Sequence, residues 1–257
     1  CSIILMRYIH RELTVDTHCV DRDRTVVITK TWHNLSDDRS LINLNQLSIM
    51  LREEEVIRPD EIIQRCHFIA LQVDNLIHNE QSYSAGVFAA DSTFFHFFDY
   101  QPVEGAARLS APDDAILTRS FAQRIFGKRS PIGENFIFNN KMVTVRGVID
   151  EPTDKSSLDF DILLSIHLNN GETGWRRPFS EFLHLSPHFD IDAFNAKHRS
   201  IVDGEIEENA LSAVFLEKRT ESFYAPFIMK DMDKAVKRIA QAVDEKEKIV
   251  IITGFQG

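Results

Sequence analysis

Cysteine is scarce in this sequence, with only Cys1, Cys19 and Cys66 among 257 residues. A small and odd number of cysteines gives no disulfide framework, and no CxxC pair is present to bind zinc or exchange thiols. Cys19 and Cys66 could pair in an oxidising compartment. Because free cysteine is among the residue types most often buried, buried thiols are the favoured interpretation.

Long apolar runs are also missing, since no stretch reaches the ~18 residues that a membrane helix needs. Residues 1–10 form a short apolar run that ends in basic residues, without a signal-peptide cleavage pattern. Three interpretations stay open for this segment. It could be the end of a membrane helix, the start of a mature lipoprotein acylated at Cys1, or an ordinary buried first helix.

Positive charge is in deficit, with 29 Lys and Arg against 39 Asp and Glu and a formal net charge of −10. Proteins that bind nucleic-acid backbones need a basic face, so we expect no nucleic-acid partner. Hydrophobic residues make up 43% of the chain, which is enough for the core of one large domain or two small ones. The 19 Phe, against 4 Tyr and 2 Trp, favour aromatic anchors in that core.

Catalytic signatures are incomplete. Residues 127–130 (GKRS) resemble the end of a phosphate loop, but Arg129 interrupts the Gly-Lys-Ser/Thr unit and the segment follows a predicted helix instead of a strand. There is no Gly-x-Ser-x-Gly elbow, and capping at a helix start explains Ser120. The acidic runs 53–55 and 113–114 could supply acid–base chemistry, but a solvated helix end and a turn explain them better.

Ten His residues raise the question of metal binding. None forms a His-Glu-x-x-His motif, and Pro187 separates His184 from His188, which disfavours a shared helical face. One short loop holds three residues that could converge on a metal: Asp16, His18 and Cys19. A solvated loop is the favoured interpretation. The sequence therefore predicts no catalytic, cofactor-binding or metal-binding residue, and a protein that is not an enzyme.

The pattern of apolar residues predicts an alternation of strands and helices. Strands are predicted over residues 24–32, 65–73, 82–90, 115–118, 135–138, 142–149, 160–164, 181–185, 211–216 and 249–252. Helices are predicted over 41–55, 93–98, 119–126, 190–202 and 231–243, with Asp190 as an N-cap. The Asn139-Asn140 pair predicts a hairpin turn, because Asn tolerates positive φ. Two βαβ-like units, 24–73 and 181–216, thus bracket a β-rich insert.

Five stretches, in this order, resemble the periplasmic core domain of MacB/FtsX-type ABC-transporter permeases. They are DSTFFHFFD (91–99), VEG (103–105), AILTRSFAQRIFG (115–127), PIGEN (131–135) and VTVRGVI (143–149). The residues that carry the resemblance are Phe94, Phe95, Phe98, Gly105, Phe121, Ala122, Phe126, Gly127, Pro131, Gly133 and Gly147. Gly127 suits a left-handed helix end, and Gly147 within a strand suggests a bulge or a close backbone approach. These are scaffold positions, not reactive ones.

The resemblance implies an α+β fold, with a split βαβ porter-like subdomain (residues 1–90 and 165–227) and an inserted mostly-β, sabre-like subdomain (residues 91–164). Residues 228–257 are a tail without an assigned role. The implied function is that of an extracytoplasmic permease domain at the periplasmic face of the inner membrane.

Such a domain couples a cytoplasmic ATPase to a substrate, adaptor or envelope partner. The resemblance also implies a dimer in the full-length transporter and no cofactor in this domain. The alternative is a stand-alone lipoprotein or envelope binding module of the same fold, anchored through Cys1.

Overall fold

A computed structural model describes residues 15–32, 40–51, 56–169, 179–198 and 211–218. The strands are β1 (Thr25–Trp32), β2 (Ser40–Ile42), β3 (Ile62–His78), β4 (Gln81–Ala90), β5 (Pro102–Gly105), β6 (Asp114–Thr118), β7 (Asn135–Phe138), β8 (Lys141–Ile149), β9 (Ile162–Ser165), β10 (Ser180–Leu185) and β11 (Leu211–Lys218). The helices are α1 (Leu44–Met50), α2 (Phe94–Phe97), α3 (Arg119–Phe126) and α4 (Ile191–Lys197), and 3-10 turns occur at Pro59–Glu61 and Ile166–Asn169.

Two split β-α-β units interlock at one end of the sheet. β1 and β3 are both antiparallel to β10, which lies between them. β10 and β11 are in turn both antiparallel to β1, which lies between those two strands. The strand order β11-β1-β10-β3 is that of a ferredoxin-like split β-α-β arrangement. The predicted α+β class with a split βαβ part is confirmed.

Helices α1 and α4 cover one face of these strands. The Asn43 side chain caps α1 by accepting a hydrogen bond from the Gln46 backbone N–H, and the predicted cap Asp190 does the same for α4. Both helices bury their apolar sides against β1 and β10, because burial of apolar area is what holds short helices in place. The core on this face contains Val26, Ile28, Ile42, Leu44, Leu47, Leu183, Leu185, Ile191 and Phe194.

The aromatic segment around α2 covers the opposite face. Phe94, Phe97 and Phe98 are buried, as the sequence predicts for a segment that packs in a core. Phe68 of β3 stacks on Phe182 of β10, with ring centroids 4.1 Å apart. The other aromatic members of this core are Phe88, Tyr100 and Phe160, with Phe95 partly buried at its edge.

A ring of six strands follows the interlocked units. The pairings run from β3 to β4, β9, β6, β8 and β7, and the single pair between Ile77 and Ile137 returns the ring to β3. Side chains alternate along each strand, so one set fills the interior. The interior core includes Leu76, Ala85, Val87, Leu117, Phe136, Phe138, Val143, Val145, Ile162 and Leu164, together with Phe121, Ala122 and Phe126 from α3.

Two tight turns close the hairpins of this ring. The predicted Asn139-Asn140 turn joins β7 to β8 with φ values of 47° and 62°. Asn79 and Glu80 join β3 to β4 with φ values of 47° and 64°. Positive φ at both central residues is the turn geometry that matches the twist of paired strands. The second turn was not predicted, because Glu rarely adopts positive φ.

Three sequence predictions need correction. Residues 40–42 form β2 on the edge of β1 and not the first turn of a helix, since the Asn43 cap starts α1 only at Leu44. β5 was not predicted, because its four residues are exposed and it begins with a proline at the edge of the sheet. β3 extends over 62–78 instead of the predicted 65–73. A register shift between Leu71 and Val73 breaks the alternation of side chains, so the sequence pattern did not show the full strand.

Several predictions lie outside the described residues. These are residues 1–10, the ends of the predicted helices at 52–55 and 199–202, the tail helix 231–243 and the strand 249–252. The subdomain boundaries stay a prediction, and the sheet runs without interruption through both predicted subdomains. Among the described residues, no helix is long and apolar enough to cross a membrane.

Candidate functional site

The GKRS segment at residues 127–130 lies at the end of α3 beside an open cleft of about 160 Å³. The Gly127 N–H donates to the Gln123 carbonyl oxygen and the Arg129 N–H to that of Phe126, so neither is available to a phosphate. The last carbonyls of a helix also disfavour an anion. Ser130 donates to Glu104, which lines the same cleft. This arrangement does not form a phosphate cradle.

The acidic pair at 113–114 stabilises a turn. Asp114 is buried and accepts hydrogen bonds from the backbone N–H groups of Ser110 and Ala111, at 2.6 and 2.7 Å. Its second oxygen lies 3.0 Å from the Nε of Arg146. A carboxylate that accepts this many bonds serves the fold.

Ser120 lies at the start of α3, as predicted, but its side chain is not the cap. Thr118 accepts from the Phe121 N–H, and Glu151 accepts from the Ser120 N–H at 3.0 Å. A carboxylate beside the first N–H groups of a helix is favourable. The arrangement contains no activated hydroxyl.

The loop around Asp16 is not the solvated loop that the sequence predicts, because Asp16 and Cys19 are buried and the loop is tied to the segment that precedes β9. Asp16 is buried and accepts hydrogen bonds from the Ser157 backbone N–H at 2.8 Å and from the Ser157 hydroxyl at 2.7 Å. No group of three His, Cys, Asp or Glu side chains among the described residues is arranged to hold a metal.

Cys19 and Cys66 are both buried thiols, which confirms the favoured interpretation. Burial raises the pKa of the Cys66 thiol well above its usual value.

The two histidines of the 184–188 segment have separate partners. The Nε2 of His184 lies 3.0 Å from an Asp21 oxygen, and the His188 backbone N–H donates to the Ser186 hydroxyl at 3.3 Å. They do not form a shared site.

A charge cluster not predicted from the sequence is centred on His67. The Nδ1 atom of His67 lies 3.0 Å from an oxygen of Asp91, and its Nε2 lies 3.2 Å from an oxygen of Glu181. His67 lies in β3, Asp91 directly follows β4, and Glu181 lies in β10. The register of β3 and β10 pairs His67 with Glu181 and so brings these two residues together.

Each carboxylate of this His67 cluster has further donors. Asp91 accepts from the His67 and Thr93 backbone N–H groups at 2.7 and 2.9 Å, and from the Thr93 hydroxyl at 2.5 Å. Glu181 accepts from the Leu44 N–H, at the first residue of α1, at 2.8 Å. The cluster thus joins β3, β10, the β4–α2 connection and the start of α1.

The electrostatics of the cluster favour full ionisation. Hydrogen bonds to Asp91 and then Glu181 raise the pKa of His67 from 6.5 to about 9. Burial by itself raises the pKa of Asp91, but the bonds from His67 and Thr93 outweigh it and lower that pKa to about 2. The pKa of Glu181 is lowered in the same way, against its burial, by His67 and the Leu44 N–H.

This arrangement holds elements together and does not suit proton transfer. Both ring nitrogens of His67 are engaged by carboxylates, and the ring edge also contacts Phe179 at 4.8 Å between centroids. A general base needs a free nitrogen and an operating pKa near neutrality. Asp91 is the first residue of the DSTFFHFFD stretch, and Glu181 is the one acid in β10. Those two signals could have pointed to the cluster.

Two glycines of the resemblance, Gly105 and Gly147, lie where backbones approach closely, and the other two have positive φ. Gly105 pairs with Gly147 across β5 and β8. A Cβ on Gly147 would overlap the Ala106 carbonyl oxygen, and one on Gly105 would overlap that of Arg146. The β6–β8 register also shifts beside Gly147, so both interpretations of that glycine are met. Gly127 and Gly133 have φ values of 63° and 85°.

The remaining positions of the resemblance are structural as well. Pro131 begins the turn in which the Glu134 N–H donates to its carbonyl oxygen, and the Gly133 N–H donates to Val145 of β8. Phe121, Ala122 and Phe126 turn the buried side of α3 into the ring of strands. The aromatic residues of α2 form the second core.

Solved structures of transporter domains are similar to this chain. The chain is similar to the periplasmic region of MacB from Actinobacillus actinomycetemcomitans, with 15% identity over 82% of this chain and 92% of that one and a TM-score of 0.51. It is also similar to the extracellular domain of the ABC-type transporter YknZ from Gram-positive bacteria, with 14% identity over 66% of this chain and 88% of that one and a TM-score of 0.46.

Among curated proteins, none matches the chain. The family model of the MacB-like periplasmic core domain matches residues 5–201, which is most of the chain. The chain belongs to the MacB-like periplasmic core domain family.

Proposed function

We propose that this domain is the extracytoplasmic part of an ABC-transporter permease and that it transmits ATP-driven motion to a partner outside the cytoplasm. Family membership supports the assignment to a permease. The coupling itself is argued from one feature of the sheet, the path of β3. The partner is a substrate, an adaptor or another envelope protein, and the net charge of −10 argues against nucleic acid.

The observation that carries this proposal is the length and pairing of β3. This strand has 17 residues and therefore extends about 55 Å. It pairs with β10 over residues 62–68, with β4 over residues 68–78 and with β7 at Ile77. A single strand thus crosses from the interlocked β-α-β units to the far side of the six-strand ring. Apart from the register shift between Leu71 and Val73, β3 is paired with its neighbours along its length, which suits rigid-body movement.

The His67 cluster reinforces the same strand near its beginning. It fastens β3 to β10 and to the start of α1 through charge-assisted hydrogen bonds. No group in it is free to react. A mechanical role for these residues is therefore favoured over a chemical one.

Spin-label distances in the full-length transporter with its ATPase subunit test the coupling. One label at Lys128→Cys, in the turn after α3, and one at His188→Cys, beyond β10, report the distance between two parts of the domain, since both positions are exposed. We expect this distance to stay constant between nucleotide-free and ATP-trapped states. We expect the Lys128–Lys128 distance between two permease copies to change by several Å.

An ATPase subunit that cannot bind ATP serves as the control and should abolish the change. A constant distance between copies in every nucleotide state would refute the coupling. It would leave the alternative, a stand-alone envelope binding module anchored through Cys1, for which a diacylated Cys1 in the mass spectrum of the native protein is the expected finding.

A further inference from the structure

A buried histidine lies at the seam where the six-strand ring closes. His78 is the last residue of β3 and follows Ile77, whose pairing with Ile137 of β7 returns the ring to β3. His78 is only 6% exposed. Its imidazole contacts the side chains of Phe126 in α3 and Phe136 in β7, with both centroid distances at 5.0 Å. A titratable group is thus built into the packing of the closing strands.

The partners of the two imidazole nitrogens specify a neutral His78. The Nδ1 atom lies 2.8 Å from the Asn135 carbonyl oxygen, which can only accept, so Nδ1 carries a proton and donates it. The Nε2 atom lies 3.0 Å from Nδ2 of Asn79, which can only donate, so Nε2 accepts. One donor and one acceptor make the neutral imidazole that is protonated at Nδ1.

A carboxylate lies just beyond hydrogen-bond distance of the same nitrogen. An oxygen of Glu134, the residue before β7, is 3.8 Å from Nε2 of His78. The backbone of Glu134 is fixed, because its carbonyl oxygen accepts from the Val145 N–H of β8 at 2.9 Å. Its side chain is 45% exposed and can move. Among the described residues, Glu134 is the one carboxylate within 4.0 Å of His78.

The other charged or titratable side chains around His78 do not compete with Glu134. Those on β3 near its end, in the following turn, on α3 and its end, on β8 and in the 3-10 turn after β9 are exposed or bonded elsewhere: Asp74, Glu80, Arg119, Arg124, Lys128, Lys141, Arg146 and His167. β4 and β7 contain no charged residue. A proton gained by His78 therefore has Glu134 as its acceptor.

We propose that His78 is a pH-sensitive latch of this seam. While the imidazole is neutral, Nε2 holds the β3–β4 turn through Asn79. When Nε2 gains a proton, the amide hydrogens of Asn79 oppose it, and the latch transfers to Glu134 at the entry to β7. A buried charge is costly unless it is paired, so the protonated imidazole needs that carboxylate. The Glu134 side chain closes the distance by roughly 1 Å to form a hydrogen bond.

The latch changes the neighbour to which the end of β3 is fastened. Acidification releases the β3–β4 turn and fastens β3 to the segment that leads into β7, beside the Ile77–Ile137 pair. Histidine is the residue type that changes its charge between pH 5 and 8, so the change falls in a range that surroundings outside the cytoplasm can reach. It depends on the fold alone and not on the proposed coupling.

Nitrogen NMR of the 257-residue chain, labelled at histidine, tests the latch. The chemical shifts of Nδ1 and Nε2 report which nitrogen carries a proton. Cross-peaks to the rings of Phe126 and Phe136 identify the His78 signals, so no variant of His78 is needed. We expect a proton on Nδ1 alone at pH 8 and protons on both nitrogens at pH 5.

Two substitutions should change the protonation of His78 in opposite directions. At pH 6 we expect Asn79→Gly to raise the ratio of doubly protonated to neutral imidazole several-fold, since it removes a bond of the neutral form. Gly also suits the φ of 47° at this position. Glu134→Gln should lower the ratio several-fold, since it removes the charged partner. The matched control is Glu80→Gln, at an exposed carboxylate of the same turn, which should leave the ratio unchanged.

Three results would overturn the latch. One is a proton on Nε2 alone at pH 8, and another is the same protonation at pH 8 and pH 5. The third is a ratio at pH 6 that does not respond to Asn79→Gly or Glu134→Gln, or that responds equally to Glu80→Gln. The measurement uses neither ATP nor a partner, so its failure would leave the proposed coupling untouched.

Discussion

His67 lies between two carboxylates whose burial would otherwise favour their protonated forms. The side chain of Glu181 is 4% exposed and that of Asp91 13%, so each needs a cation or several donors to stay ionised. His67 supplies that charge to both. Because its own side chain is 37% exposed, solvent screens part of the attraction.

His67→Gln should therefore destabilise the domain in a pH-dependent manner. Gln can keep hydrogen bonds but not the charge, so we expect the free energy of unfolding to fall by about 1–2 kcal/mol near pH 6. The pKa of His67 is raised from 6.5 to about 9, so its stabilisation is complete below pH 6.5 and is lost as the pH rises through 9. Above that pH the variant and the original chain should have similar melting temperatures.

The control for this measurement is His188→Gln, at an exposed histidine outside the cluster. It should leave the melting temperature unchanged at both pH values. If His67→Gln lowered the melting temperature by the same amount at pH 6 and at pH 9.5, His67 would act by its shape and not by its charge. At the acid end, the lowered pKa of Asp91 predicts that its contribution is present above pH 3.8 and lost as the pH falls through 2.

Sequence patterns identified single residues where the chemistry is local. Asp190 as a cap and Asn139-Asn140 as a turn need only neighbours along the chain, and both were predicted. The His67 cluster needs three segments that are distant in sequence. It is set by the β3–β10 register, which local patterns do not contain.

At the scale of elements, β5 is held to β8 by a close contact between backbones. Gly105 faces Gly147, and the Ala106 N–H donates to the Arg146 carbonyl oxygen at 3.0 Å. Side chains contribute little, since all four β5 residues are exposed. The absence of a Cβ at position 147 is what allows this edge strand to pair.

Gly147→Ala should therefore destabilise the domain more than an alanine at a glycine with open surroundings. The new Cβ would overlap the Ala106 carbonyl oxygen, and we expect a loss of about 2–3 kcal/mol in the free energy of unfolding. Gly133→Ala is the comparison, because its φ of 85° is unfavourable but no atom lies within 4 Å of its Cβ. Its expected loss is about 1 kcal/mol. Chemical denaturation measures both, and equal losses would contradict the role of the close contact.

Helices and strands could be predicted where the residues that begin and end them lie in the segment itself. The predicted α3 bounds, 119–126 with Gly127 at the end, match the structure, although the cap is Thr118 and not the predicted Ser120. The start of α1 was misplaced because the apolar residues Leu41 and Ile42 fit a helical spacing although they belong to β2. β5 offers no apolar pattern to detect. Tertiary pairing decides such segments, and propensity does not.

At the scale of the whole molecule, strand order is the property that the sequence predicted least completely. The split arrangement was expected, but the ring that closes through Ile77 and Ile137 was not. Closure depends on one residue pair between strands 60 positions apart. No local pattern reports such a pair, whereas the resemblance to a family carries the arrangement as a unit.

The continuous sheet predicts that the domain unfolds as one cooperative unit. Leu183 lies in the core under α1 and α4, and Leu117 lies in the core of the six-strand ring. Replacing either by Ala leaves a cavity that costs about 2–5 kcal/mol. Because β3 belongs to both parts of the sheet, each variant should show one thermal transition with a lowered midpoint temperature. Circular dichroism and calorimetry should record the same transition. Ile49→Ala, at an exposed site, should leave it unchanged. Two transitions, with each variant lowering a different one, would mean that the predicted insert of residues 91–164 folds independently and that β3 does not couple the two parts.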